Sequence, residues 1–360
     1  MTQSASWLFE QDPEVAAHHA SEGALSQLVR AELSEPQLSR TLDAAGEQVP
    51  ARHWQAALAG PLLELLGRDA KYFRSKLVQV AYHVAASARG TAAAMPEQLP
   101  LLVEVLHAGS LIIDDIEDDS RSRRGKPALH VLVGVPLALN AGNWLYFLPH
   151  RLLEELALEP SVELPLRQAL DRAVLRCHYG QALDLGVRLG SLAQREVFNV
   201  VSLSTRLKTA SLLELAAEVG AIAGGASPSL RAALQCFGRR YGVALQMLDD
   251  TSGLYRHGRA HKAHEDLLGG RPTWPWAWLS RRLDELGYSR LQHQAQAVAH
   301  RELEPDVLAA ALRQQLGTAP QQAVHGRLVA ALRELERHVP SARLLEPLAE
   351  ELERLEQAYV

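Results

Sequence analysis

Residues 114–119 read Asp-Asp-Ile-Glu-Asp-Asp, five acids in six positions, at the end of the apolar run "LVEVLHAGSLII". On a helix at 100° per residue, Asp114 and Asp118 lie one turn apart on one face, with Asp115 beside them. Two carboxylates about 5 Å apart at an effective dielectric near 20 repel by about 3 kcal/mol. Acids at a helix C-terminus also oppose its macrodipole. A solvated helix end lets such side chains splay apart. The alternative is divalent cations, because hard ions such as Mg²⁺ take oxygen ligands and bridge carboxylates to phosphates. A second pair, Asp249-Asp250, closes another apolar run, "YGVALQMLDD". There Gln246, Asp249, Asp250 and position 253 share a helix face. Two such patches around one cavity would hold several cations and clamp a diphosphate, and the repetition favours that reading over a solvated end.

Counter-charges stand nearby. "SRSRRGKP" puts Arg123 and Arg124 one loop beyond the first cluster, and "DAKYFRSKL" sets Lys71 and Arg74 three apart. Guanidinium groups bind phosphate oxygens bidentately. His107 precedes Asp114 by two helical turns on the same face. Singly, these residues suit a surface pair and a core histidine. "HGRAHKAH" spaces His257, His261 and His264 at four and three. That spacing could form a metal face, but no carboxylate partner is evident and a polar loop is expected.

Helices must carry these groups. Ala, Leu, Glu, Arg and Gln dominate the 360 residues, aromatics are 5%, and residues 166–227 lack proline. The pattern predicts helices near 98–119, 139–157, 162–187, 194–225 and 228–256, an all-α chain without strand-like alternation. Residues 1–50 read as an arm or short helices, 51–282 as the catalytic core, and 283–360 as amphipathic helices packed on it, all one domain. Net charge is −5, which argues against a nucleic-acid surface. Two cysteines, Cys177 and Cys236, make neither a disulfide framework nor a zinc site. With no secretory signal and no apolar run of about 18 residues, a soluble cytoplasmic protein is expected.

The motifs resemble, in order, those of trans-isoprenyl diphosphate synthases, especially geranylgeranyl diphosphate synthases. They are "AKYFRSKL", "LHAGSLIIDDIEDDSRSRRGKPALH", "NAGNWLYFL", "GQALDL", "RLKTASLLELA", "LQMLDDTSG" and "HEDLLGGRPTWP". The resemblance implies an isoprenoid-synthase-type helical bundle around a deep central cavity, usually a homodimer. It implies Mg²⁺-dependent head-to-tail transfer, in which an allylic diphosphate (dimethylallyl, geranyl or farnesyl) ionises and isopentenyl diphosphate attacks. By that resemblance Asp114, Asp115, Asp118, Asp249 and Asp250 hold three magnesium ions with the diphosphate. Arg123 and Lys208 meet the allylic diphosphate; Lys71, Arg74, His107 and Arg124 hold isopentenyl diphosphate. Lys208, Thr209 and Gln246 turn dipoles toward the carbocation, while Gln181 and Lys262 join the substrate-binding set.

The chain departs from that pattern at Gly253, where the second motif usually ends in Asp or Asn. Asn143 stands for a common Asp, Arg271 for Lys, and Asp69-Ala70 for glycines. Gly253 cannot ligate, so weaker metal affinity is expected. Gly109 and Ser110, small residues one turn before Asp114, predict an open tunnel and a C20 or longer product. Two other functions share some of these features. A class I terpene cyclase would leave the Lys/Arg/His set idle and lacks its usual Asn/Ser/Glu triad in "DDTSG"; a non-catalytic subunit of a heteromeric synthase is favoured by Gly253 alone.

Overall fold

The computed structural model describes residues 13–41, 49–68, 72–91 and 94–359. The chain divides into two compact units, one from residues up to 76 and 96–158, the other from 77–95 and 159 onward. The fold is all-α, as composition predicts.

The first unit contains α1 (Pro13–Glu32), α2 (Glu35–Thr41), α3 (Ala51–Trp54), α4 (Gly60–Leu66), the first turn of α5 (Phe73–Arg89), α6 (Leu101–Glu117), α7 (Leu129–Val133) and α8 (Val135–Glu155). The apolar run forms α6, whose Leu102, Val103 and Val105 are fully buried. It packs on α8 and touches α1 and α7. Within residues 1–50, expected as an arm or short helices, the structure describes the 20-residue α1 and the short α2. Among its described side chains, Leu25, Leu28 and Val29 of α1 form a buried apolar face.

After α6 the chain turns through Asp119, at φ 49°. "RRGKP", which reads as loop punctuation, is a minimal hairpin: β1 (Ser122–Arg123) pairs with β2 (Lys126–Pro127), Arg123 opposite Lys126. Its central residues, Arg124 and Gly125, both have positive φ (54° and 75°), the twist that two-residue hairpins need. Two paired residues per strand are too few to show alternation. Buried Arg68 braces the hairpin by donating to the Arg123 carbonyl at 2.9 Å and the Pro127 carbonyl at 2.8 Å.

The second unit continues from α5 through α9 (Pro160–Gly186), α10 (Gln194–Leu207), α11 (Thr209–Ala223), α12 (Pro228–Tyr255), α13 (Ala260–Leu268), α14 (Trp274–Arg282), α15 (Glu285–Ala299), α16 (Pro305–Leu316), α17 (Ala319–Glu336) and α18 (Glu346–Tyr359). Every residue of α11 from Ala210 to Ile222 is buried, between α9 and α12. Ser227 caps α12 by accepting from the Leu230 amide at 3.3 Å, with Pro228 at the first turn. Helices α16, α17 and α18 pack on α12. No helix among the described residues is long and apolar enough to cross a membrane.

One helix was expected over 194–225, but α10 and α11 are separated at Lys208, whose ψ is −75°. Neither Gly nor Pro lies there, so the break is tertiary. Helix α9 crosses at Gly180, where a Cβ would sit 2.4 Å from the Lys208 nitrogen and 2.8 Å from the Leu207 carbonyl carbon. Only glycine permits that approach, and the Ser204 hydroxyl donates across it to the Gly180 carbonyl at 3.4 Å.

Candidate active site

In the first unit the aspartates of α6 divide into two environments. The Asp115 carboxylate is only 2% exposed and is gripped by Arg123, whose Nε donates at 2.8 Å. Burial still pushes the Asp115 carboxyl up, against the bonding and charge of Arg123. The Asp114 carboxylate is 22% exposed and 3.5 Å from the same guanidinium. Asp118 caps α6, its amide donating to the Asp114 carbonyl at 2.9 Å. The hairpin therefore delivers Arg123 to the motif, and Asp115 faces inward to receive it.

The expected phosphate-binding cations also meet in this unit. His107 lies beside Arg74, Arg124 and Arg123, and burial together with their charge drives it well below the usual histidine range. It is neutral near pH 7. A small pocket is lined by His107, Arg124, Tyr72, Glu104 and Leu25 of α1, among others. Lys71, with Asp69 and Ala70, lies outside the described residues. Sequence reasoning passed over two supporting residues. Glu104 accepts from the Ser75 amide at 3.0 Å and its hydroxyl at 2.9 Å, fixing the helix start that carries Arg74. Arg68 holds the hairpin and accepts from Arg124 through its carbonyl at 3.3 Å. The lone acid inside the apolar "LLVEVL" was the available signal for Glu104; nothing local marked Arg68.

In the second unit Thr209, Gln246 and Asp250 form one chain of hydrogen bonds. The Thr209 hydroxyl donates to Gln246 Oε1 at 2.5 Å, and Gln246 Nε2 donates to Asp250 Oδ1 at 2.6 Å. The Trp274 amide donates to Asp250 Oδ2 at 2.9 Å. Burial, with Asp266 and Asp249 nearby, raises Asp250 well above the usual carboxylate range. Asp250 thus anchors the start of α14 rather than facing outward. Lys208, placed by the break, donates to Asp184 Oδ2 at 2.7 Å. Gln181 is half-buried on α9, three residues before Asp184.

Asp249 has a different environment. Lys262 Nζ donates to both its oxygens, at 2.8 and 3.0 Å, and Arg259 approaches to 3.9 Å. Asp266, one turn beyond Lys262, is pushed up to about 7 by burial and by Asp249 and Asp184, opposed by Arg271 and Lys262. Asp184 and Asp266 stand inside "GQALDL" and "HEDLLGG", yet sequence reasoning did not single them out. Of the histidines, His264 pairs with Asp306 of α16 at 2.9 Å and His261 is exposed. Asn143 is exposed on α8.

Each unit by itself offers donors that suit magnesium. In the first, Asp114 and Asp118 share the end of α6; in the second, Asp249 offers a carboxylate that is 36% exposed. All are hard oxygen donors. Among the described residues no three or more His, Cys, Asp or Glu side chains are gathered as a ready-made cage. One or two carboxylates plus phosphate oxygens and water is the usual way magnesium is held. Asp115 and Asp250 are engaged elsewhere, by Arg123 and by the Gln246–Trp274 network.

The architecture is that of isoprenyl synthases. It superposes on a decaprenyl diphosphate synthase from Rhodobacter capsulatus with TM-score 0.74 and 21% identity, covering 96% of this chain and 98% of that one. It also superposes on a geranylgeranyl pyrophosphate synthase from Corynebacterium glutamicum, complexed with isoprenyl diphosphate and magnesium, with TM-score 0.68 and 21% identity over 92% and 96%. The polyprenyl synthetase family matches residues 55–304, and the chain belongs to that family. It is 40% identical over 150 residues to a short chain isoprenyl diphosphate synthase from Methanothermobacter thermautotrophicus, 41% of this chain and 44% of that one. It is 38% identical over 130 residues to a geranylgeranyl pyrophosphate synthase from Eremothecium gossypii, 36% of this chain and 39% of that one. The chain thus spans under half the length of these curated relatives.

Proposed function

We propose that the protein is a prenyltransferase that condenses an allylic diphosphate with isopentenyl diphosphate, head to tail, to give geranylgeranyl or longer polyprenyl diphosphate. The observation that carries this is the gathering, within the first unit, of Arg74, Arg123 and Arg124 around His107, together with a carboxylate helix end. The reaction needs one diphosphate that stays on its carbon and one that leaves. Arg74, His107 and Arg124 suit the first, gripping phosphate oxygens directly. Asp114 and Asp118 suit the second, and the family resemblance adds Asp249 to them. Magnesium held by these carboxylates, three ions in the family pattern, would neutralise the charge that develops on the departing diphosphate. Family membership supports the same assignment. A terpene cyclase, handling one diphosphate, would have no use for the arginines gathered around His107.

The family resemblance suggests the remaining roles. Arg123 and Lys208 would meet the allylic diphosphate, each exchanging an aspartate for a phosphate oxygen. The Lys208 carbonyl and the Thr209 and Gln246 dipoles would face the carbocation. Released diphosphate would accept the proton. Purified chain with Mg²⁺, isopentenyl diphosphate and each allylic primer should give a prenyl diphosphate by mass analysis; none from any primer would refute the enzyme.

Chain length follows from α6. Gly109 is buried against Gly142 and Leu145 of α8, which leaves Ser110, half-buried with its hydroxyl on the His107 carbonyl, as the small residue open to a growing tail. We expect a C20 or longer product, and Ser110→Phe should shorten it by at least one isoprene unit; an unchanged product would place the floor elsewhere. A cytoplasmic homodimer completes the proposal. Val135, Leu139 and Phe147 are 47, 41 and 72% exposed along one face of α8, an apolar stripe suited to a second copy. Light scattering should give twice the chain mass, and Phe147→Glu should halve it.

A further inference from the structure

Gly253 is where the second aspartate motif departs from its relatives, and its surroundings explain the departure. It is buried in the last turns of α12, directly under α13. A Cβ there would lie 2.6 Å from the Ala263 nitrogen, 2.8 Å from the Ala263 Cβ and 3.0 Å from the Arg259 carbonyl oxygen. These are mostly backbone atoms, which cannot swing aside. An aspartate at 253 would not reach toward a ligand; it would lift α13 off α12.

The same face of α13 carries the charges. Arg259, Lys262, Ala263 and Asp266 recur at helical spacing, so the seat at Gly253 fixes where Lys262 falls. It falls on Asp249, donating to both carboxylate oxygens at 2.8 and 3.0 Å. The far side of α13 is tied to α16 through His264 and Asp306. Lys262 is 41% exposed and Asp249 36%, so the pair is open to solvent and exchangeable. Both are also the groups that the proposed activity brings to a metal diphosphate.

Resting on that activity, we propose that Gly253 is a positioning residue: by seating α13 it sets Lys262 on Asp249 as a cationic stand-in, which a divalent metal must displace. The position has been changed from ligand to seat. Metal-free, the lysine keeps the Asp249 carboxylate neutralised and pre-placed. When metal arrives with a diphosphate, the displaced ammonium remains beside the phosphate oxygens and donates to them. Free metal alone is thereby disfavoured, and metal with diphosphate favoured.

The test is a Mn²⁺ titration of the full chain followed by electron paramagnetic resonance, with and without inorganic diphosphate. Without diphosphate, Lys262→Ala should tighten Mn²⁺ binding roughly two- to fivefold, the range open to a half-exposed ion pair. Lys262→Arg, which keeps the stand-in, should stay near wild type. With diphosphate, Lys262→Ala should weaken binding. Gly253→Ala should reproduce both signs, and the double variant should add nothing beyond either single one. Ala263→Val enlarges the same contact from the α13 side and should act like Gly253→Ala; if neither folds by circular dichroism, the Lys262→Ala and Lys262→Arg pair decides the proposal alone. Asp249→Asn should erase the Lys262→Ala effect. Unchanged or weaker Mn²⁺ affinity in Lys262→Ala, persistence of its effect in Asp249→Asn, or multiplying effects of the two sites would each overturn it. Because the titration reads metal binding, a chain that makes no prenyl diphosphate yet shows these shifts would overturn the assigned activity and not the stand-in.

Discussion

Two sets of carboxylates in the second unit are treated in opposite ways. Glu214 and Glu218 lie one turn apart in the buried middle of α11. Glu218 is paired with Arg172 of α9 and Arg231 of α12, and Glu214 with Arg176 and Arg239 of the same helices. Each buried acid thus has two guanidinium groups, one from either side. Asp249, Asp250, Asp266 and Asp184 are a mixture of half-paired groups, in which burial and neighbouring aspartates raise Asp250 and push Asp266 up to about 7. The glutamates clamp three helices and need nothing more. The aspartates are short of positive charge, and a metal diphosphate complex can supply it.

The sharpest way to break this contrast is to remove one acid from each set. Asp249→Ala should reduce kcat/KM by roughly a thousandfold or more, the scale of losing metal-borne charge stabilisation in the transition state. Its thermal midpoint should barely move, because a half-exposed pair with Lys262 contributes only about 0–1 kcal/mol. Glu218→Ala should do the reverse. Two arginines left facing a buried gap should cost about 2–4 kcal/mol of stability, while the folded fraction keeps its rate within a few-fold. Urea denaturation and steady-state kinetics on the same preparations decide the matter; equal stability losses would erase the distinction.

The first motif contains both kinds of acid side by side, which allows a finer test. Asp115→Asn removes the buried partner of Arg123 and loosens the hairpin, and about 2 kcal/mol of stability should go with it, as for a charged hydrogen bond in the interior. Asp114→Asn, at a position 22% exposed, should leave stability within about 0.5 kcal/mol and lose more activity than its neighbour. If Asp115→Asn is the stable one of the two, the inward placement of Asp115 is wrong.

This split between neighbours explains what was legible in the sequence. Helical composition and proline spacing located α6, α8, α9 and α12, and the acids at their ends announced phosphate and metal chemistry. Sequence period places a residue on a face but not against a partner. It put Asp114, Asp115 and Asp118 together, whereas the hairpin, reached through residues of positive φ, turns Arg123 back to hydrogen-bond Asp115 and only approach Asp114. The break at Lys208 was invisible because its cause, Gly180, lies on another helix. Gly253 read as a lost ligand because α13, pressed against it, could not be seen from "DDTSG". Glu104, Asp184 and Asp266 lay in plain view; their importance depends on neighbours distant in sequence.

Asp266 gives the smallest effect and the one with a definite dependence on pH. Its unfolded value is near 3.8 and its folded value about 7. Below about pH 4 the carboxyl is protonated in both states and contributes nothing. Between 4 and 7 the unfolded chain releases a proton that the folded chain keeps, so stability falls as pH rises. Above 7 the folded group ionises as well and the cost is constant. At about 1.4 kcal/mol per unit the full span sets an upper bound near 4 kcal/mol, and partial solvent access reduces it to about 1–2. Asp266→Asn should therefore raise stability by that amount at pH 8 and leave it unchanged at pH 4. A metal ion at Asp249 would pull the Asp266 carboxyl back down, so Mn²⁺ binding near pH 7 should release part of a proton in wild type and less in Asp266→Asn, measurable by calorimetry in two buffers of different ionisation enthalpy. A stability gain equal at both pH values would show that Asp266 is ionised throughout and shares none of the charge shortage of its neighbours.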